Sequence, residues 1–263
     1  MKFFAALRQL VGLFFPRMRV EGFEQSMRSA SVFVCNHADS FGPLAMMLRF
    51  PARLHPWVTS VVMERGSCAA YVEADFVWKE LHIRRPLSRV IALLIERVCV
   101  PMMRYLEAVP VYRHSRRILD TFELSRRFLD LGDSLLIFPE LMGEPLNDLI
   151  NRLDNGFLEV IRRAYLEGGL RAGIYPVYID KARRRIVVGR RQEYYPERPF
   201  REERTRIGRE LEAELSRLAA AGPFAAGLSV ASDFASGAAT SAASGAATSG
   251  EVGEDLPRKL GDL

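Results

Sequence analysis

The chain has 263 residues, 49% of them hydrophobic, with a net charge of +5 and a pI near 9.3. That is enough apolar residue to bury the core of one large domain, with room for appendages. The three cysteines, Cys35, Cys68 and Cys99, are odd in number and lack CxxC or metal-ligand spacing, which excludes a disulfide framework and a cysteine-based zinc site and fits a reducing compartment.

The positive charge suits an anionic partner such as a membrane surface or a phosphorylated substrate. Thirty-three of the 37 basic residues are arginine, a fork suited to phosphate, although an arginine-rich genome gives the same bias. The arginines are dispersed, and no aromatic-basic platform or recognition helix stands out, so no nucleic-acid partner is expected.

Residues 1–19 predict an N-terminal amphipathic helix. Phe3, Phe4, Leu7, Leu10, Val11 and Phe14 fall near one face, with Lys2, Arg8 and Arg17 alongside. Arg8 interrupts the apolar run and no small-x-small cleavage pattern follows, unlike a signal peptide. The run is also shorter than the about 20 residues that span a bilayer. Such a helix lies on an anionic membrane or packs on the domain's own core.

Residues 20–221 read as an α/β domain, a central mixed sheet flanked by helices, because short apolar runs alternate with longer helical patterns. Strands are predicted at Ser31–Cys35, Trp57–Val61, Ala108–Tyr112, Ser134–Phe138, Ile174–Ile179 and Arg185–Val188. Helices are predicted at Pro43–Phe50, Gly66–Leu81, Leu87–Leu106, Ser115–Leu131, Asp154–Glu167 and Glu202–Ala220. Leu87–Leu106 is too charged to span a membrane; it is either a lipid-facing or acyl-lining helix or a core helix kinked at Pro101. From 222 to 263 the sequence Ser-Gly-Ala-Ala-Thr-Ser occurs twice, at Ser236 and Ser244. This Gly/Ala/Ser/Thr segment predicts a disordered tail without chemistry.

The chemistry-bearing residues cluster at predicted strand ends. Asn36-His37-Ala38-Asp39-Ser40 follows the first long apolar run, and His37 has the make-up of a general base. Asp39 either orients it as a dyad or satisfies its own turn. Of the other histidines, His55 and His82 read as surface or half-buried, and His114 as a loop residue. Arg183-Arg184-Arg185 reads as a solvated hairpin turn.

Four segments together resemble the motifs of the glycerophospholipid acyltransferases, the family of bacterial 1-acylglycerol-3-phosphate acyltransferases. Asn36-His37 resembles the Asn-His-x-x-x-x-Asp motif, and Ala108-Val109-Pro110-Val111-Tyr112-Arg113 the small-apolar strand ending in arginine. Leu136-Ile137-Phe138-Pro139-Glu140 resembles Phe-Pro-Glu-Gly-Thr-Arg, and Ile174-Tyr175-Pro176-Val177-Tyr178-Ile179 the apolar-Val-Pro-Val strand. The order and strand-end placement make the combination more specific than any one of them.

The resemblance implies a peripheral enzyme on the inner face of the cell membrane, acting on membrane phospholipids. It would transfer an acyl group from acyl-CoA or acyl carrier protein, with no cofactor and no metal. It makes His37 the catalytic base with Asp39 as its partner, and Asn36, Arg113 and Glu140 substrate-binding residues. Two motifs are degenerate. The family's aspartate, five residues after the histidine, is Gly42 here, and Leu141-Met142-Gly143 replaces Gly-Thr-Arg. A catalytically impaired lipid-binding or regulatory relative is the alternative.

Overall fold

The computed structural model describes residues 2–78, 81–113, 115–139 and 153–221. Helix α1 (Lys2–Phe14) leads into strand β1 (Arg19–Glu21), then β2 (Ser31–Cys35), α2 (Phe41–Arg49) and β3 (Leu54–Thr59). A helical pair follows, α3 (Ser67–Val72) and α4 (Leu87–Tyr105), before β4 (Val109–Val111). The chain continues through α5 (Ile118–Asp130), β5 (Ser134–Ile137), α6 (Leu158–Gly168), β6 (Gly173–Asp180), β7 (Arg185–Val188) and α7 (Phe200–Ala220).

The seven strands form one mixed sheet in the order β1-β7-β6-β2-β5-β3-β4. Strands β6, β2, β5, β3 and β4 run parallel, while β7 turns back on β6 as a hairpin and β1 joins β7. All five residues of β2 are buried, as a strand covered on both faces must be. Val32 and Val34 face a core with α5, α6 and α7, including Leu129, Ile161 and Leu211. Phe33 and Cys35 point the other way, onto α2 through Ala45, Met46 and Phe50. The Phe33 ring meets Phe50 edge-on at 4.8 Å. Emptying its site by Phe33→Ala would cost about 3–5 kcal/mol.

The α3–α4 pair has a core of its own, built on Cys68, Ala69, Val72, Ala92 and Val100. Glu96 of α4 caps α3, its Oε2 accepting from the amides of Gly66 at 2.6 Å and Ala69 at 2.9 Å. The expected single helix over 66–81 is therefore shorter: α3 ends at Val72 and a wide turn of π type covers Glu73–Val77. Buried Glu73 holds that turn, accepting from Ser88 Oγ at 2.9 Å and Arg85 Nε at 3.0 Å. Burial pushes the Cys35 thiol well up and the Cys68 thiol to about 12, so both are inert packing groups.

Helix α1 is tethered at its C-terminal end. Arg49 of α2 donates to the carbonyls of Gly12, Phe15 and Pro16, satisfying groups that a helix end leaves unpaired. Phe15 stacks on Phe41 at 5.0 Å, while Leu13 and Phe14 are 79% and 85% exposed. No helix among the described residues is long and apolar enough to cross a membrane. The repetitive segment 222–263 lies outside the described residues.

Candidate active site

In an open parallel sheet, chemistry gathers at the carboxyl ends of the strands. Here β2, β5, β6 and β4 bring Asn36-His37, Phe138-Pro139, Asp180-Lys181 and Tyr112-Arg113 to that one edge. Asn36 is buried, and its amide pairs with the main chain of β6. Its Nδ2 donates to the Ile179 carbonyl at 3.3 Å, and its Oδ1 accepts from the Ile179 amide at 2.7 Å. The side chain extends the β2–β6 ladder by one rung and fixes where His37 emerges. Its amide groups are thus engaged by the sheet, whereas the sequence assigned Asn36 to substrate.

After His37 the chain turns through two left-handed residues, Ala38 at φ 45° and Asp39 at φ 55°. Such angles are uncommon outside glycine and persist only where the surroundings enforce them. They swing the Asp39 carbonyl back onto the imidazole, 2.8 Å from His37 Nδ1. Among the described residues, no hydrogen bond or ion pair joins the Asp39 carboxylate to that ring; the contact comes from its main chain. The ring also lies 5.1 Å from the Phe138 ring, at the end of β5.

Gly42 explains why the resembling family's aspartate is missing. Its amide donates to the Ala38 carbonyl at 3.3 Å, closing the turn into α2. A Cβ there would sit 2.1 Å from the His37 carbonyl oxygen and 3.3 Å from Ile179 Cδ1. This turn has no room for any side chain at that position. Helix α2 consequently begins at Phe41, two residues before the start expected at Pro43.

Arg113, just past β4, is about one-third exposed and lies 3.5 Å from Asp154 Oδ2. The Asp154 amide donates to the Pro139 carbonyl at 2.6 Å. Contacts therefore run from His37 through Phe138 and Pro139 to Asp154 and Arg113. Glu140 lies outside the described residues, as do Arg152 and His114. Arg117 lies over the Tyr112 ring at 3.8 Å and donates to its hydroxyl at 2.7 Å. Among the described residues, no group of three or more His, Cys, Asp or Glu side chains could hold a metal ion.

Two features of the sheet ends are invisible to a search for neighbouring residues. Lys181, directly after β6, lies 5.8 Å from the ring of Phe41 and puts a second cation on the His37 edge. His55, expected at the surface, is fully buried at the opposite end of β3. Its Nε2 meets Asp133 Oδ2 at 3.1 Å, 78 residues away, and its ring stacks on Phe128 at 3.6 Å. With no exposure to substrate, that histidine–carboxylate pair is a structural clamp between β3 and β5. The arginine triplet forms the β6–β7 hairpin turn, where Arg183 and Arg185 bond Asp180. Against the cost of burial, those bonds hold the Asp180 carboxyl below its usual range.

No protein-family model and no curated protein matches this chain. Among solved structures, it is similar to the 1-acyl-sn-glycerophosphate (LPA) acyltransferase, PlsC, from Thermotoga maritima. The identity is 14% and the TM-score 0.48, over 82% of this chain and 78% of that one. A likeness at that level assigns neither an activity nor a residue.

Proposed function

We propose that the protein is a membrane-peripheral acyltransferase. It moves a fatty acyl group from a thioester, acyl-CoA or acyl carrier protein, to a hydroxyl of a lysophospholipid or related acceptor. The observation that carries this reading is the 2.8 Å contact between His37 Nδ1 and the Asp39 carbonyl, at the carboxyl edge of the parallel strands. A carbonyl can only accept, so Nδ1 carries the proton and Nε2 is the basic nitrogen. Nε2 takes the proton of the acceptor hydroxyl as its oxygen attacks the thioester carbonyl. The C–S bond then breaks, and the imidazolium returns the proton to the leaving thiolate, with no acyl-enzyme formed.

Arg113, and beside the histidine turn Lys181, are the cations available to an acceptor phosphate. The exposed Leu13 and Phe14 side chains at the end of α1 supply an apolar foot for the bilayer. Gly42 favours a second reading, a lipid-binding scaffold, because the turn excludes the carboxylate that the resembling family places there.

Purified protein incubated with acyl-CoA or acyl carrier protein and a panel of lysophospholipids separates the two. Acylated product that depends on the thioester supports the enzyme. Lipid binding without turnover supports the scaffold.

A further inference from the structure

Helix α4 buries one face and, among the described residues, leaves the other without a covering element. Ala92 and Val100 face α3 and are buried, with Glu96 between them capping α3. On the opposite side Leu87, Val90, Leu94 and Val98 recur three or four residues apart, with Leu93 beside them, and all are exposed. Leu87, Val90 and Leu94 are each more than half exposed. The α3–α4 core is complete without them, so folding does not demand this stripe. Leucines and valines exposed in a continuous row mark a contact surface.

Its charge has one sign. Arg97 and Arg104 are exposed along the same side of the helix. Glu96, the one carboxylate of α4, is buried and occupied by the Gly66 and Ala69 amides. A shallow cleft of about 340 Å³ beside the stripe is lined by Arg65, Val90, Leu93, Leu94, Glu96 and Arg97, with both arginines at apolar walls. Trp78, which follows the π turn and is exposed, lies 5.7 Å from the Arg85 guanidinium. An apolar ridge flanked by arginines and a tryptophan matches the boundary between lipid headgroups and acyl chains. A helix of nineteen residues, about 28 Å long, offers a convex ridge that a fluid bilayer accommodates.

We infer that the exposed face of α4 is a docking surface for an anionic lipid bilayer. Leu87, Val90, Leu94 and Val98 enter the interface while Arg65, Arg97 and Arg104 meet lipid phosphates. The helix lies on the membrane and directs the α3–α4 pair toward it, as a second foot apart from α1. The inference extends the membrane-peripheral part of the proposed function. Its readout is vesicle binding without substrate, so either can fail while the other stands.

The test is co-flotation of the full chain with phosphatidylcholine vesicles, with and without phosphatidylglycerol. It is run in the wild type and in a Leu13→Glu/Phe14→Glu background that removes the α1 foot. Val90→Glu/Leu94→Glu should lower partitioning about tenfold or more in that background. Arg97→Gln/Arg104→Gln should lower it about 25-fold, about fivefold per arginine, on phosphatidylglycerol vesicles alone. Both pairs are on the surface, so an unchanged thermal midpoint checks the fold. Vesicle binding unaffected by Val90→Glu/Leu94→Glu in both backgrounds overturns the inference. So does a shift in oligomeric mass with vesicle binding intact, which would make the stripe an interface with a second copy.

Discussion

If the main chain orients His37, the Asp39 side chain is dispensable. The Nδ1 partner is the Asp39 carbonyl at 2.8 Å, which Asp39→Asn leaves in place. Asparagine tolerates the φ of 55° as well as aspartate does. A carboxylate that holds a catalytic imidazole contributes about 10⁴ in kcat, about 5.5 kcal/mol, when replaced by its amide. A carbonyl bond, worth about 1 kcal/mol, is untouched by the swap. Asp39→Asn should therefore change kcat/KM by less than about threefold. Release of free thiol from an acyl-CoA in the presence of lysophospholipid measures it. Asp39→Pro is the converse perturbation, since proline cannot adopt a positive φ. It displaces the carbonyl and should lower kcat/KM by about 10³–10⁴, toward an unoriented imidazole. A loss of that size in Asp39→Asn would refute the main-chain argument and restore the carboxylate to the dyad.

Gly42→Asp, which rebuilds the resembling motif, should not enhance activity. Its Cβ would meet the His37 carbonyl at 2.1 Å, so the variant should lose activity and about 1–3 kcal/mol of stability by chemical denaturation. Glu214 on α7 is 3% exposed, and Arg217 foremost, then Arg190, lowers its carboxyl from its ordinary value near 4.5 to about 2. Because the folded value is the lower one, the stabilisation is complete above about pH 4.5 and is lost as pH falls toward 2. Glu214→Gln should cost about 2 kcal/mol at pH 7 after screening at the exposed guanidiniums. That difference should shrink across the same acid window in urea titrations.

Regular elements with strong local pattern were legible in the sequence. Strands β2 and β7 lie at their predicted bounds, since runs of four and three consecutive apolar residues leave little choice. Strand β1 was not legible. Arg19-Val20-Glu21 carries one apolar residue and exists because β7, far along the chain, pairs with it. The helix over 66–81 was overextended because its interruption depends on Glu73 meeting Arg85 and Ser88 across a turn.

The site divides in the same way. His37, Arg113 and the Phe138-Pro139 segment could be placed at strand ends from the alternation alone. The partner of His37 could not, because a sequence displays side chains and the oxygen at Nδ1 belongs to the backbone. The partner of Asn36 was not legible for a related reason: it is the main chain of Ile179, 143 residues on. His55 shows the reverse error. Its carboxylate comes from Asp133, beyond any local window, and creates an imidazole–carboxylate pair at the end of the sheet away from His37.

The central claim is tested most directly by His37→Ala. The measurement is mass-spectrometric detection of acylated lysophospholipid formed from acyl-CoA or acyl carrier protein, beside a thermal melt. The account predicts product from the wild-type protein and a fall in rate of about 10³-fold or more in the variant, since a general base and its proton return are both lost. The melting temperature should hold, because His37 sits past the end of β2 and outside both cores of the sheet. Equal turnover by the alanine variant, or no product from the wild type with any donor, would contradict it.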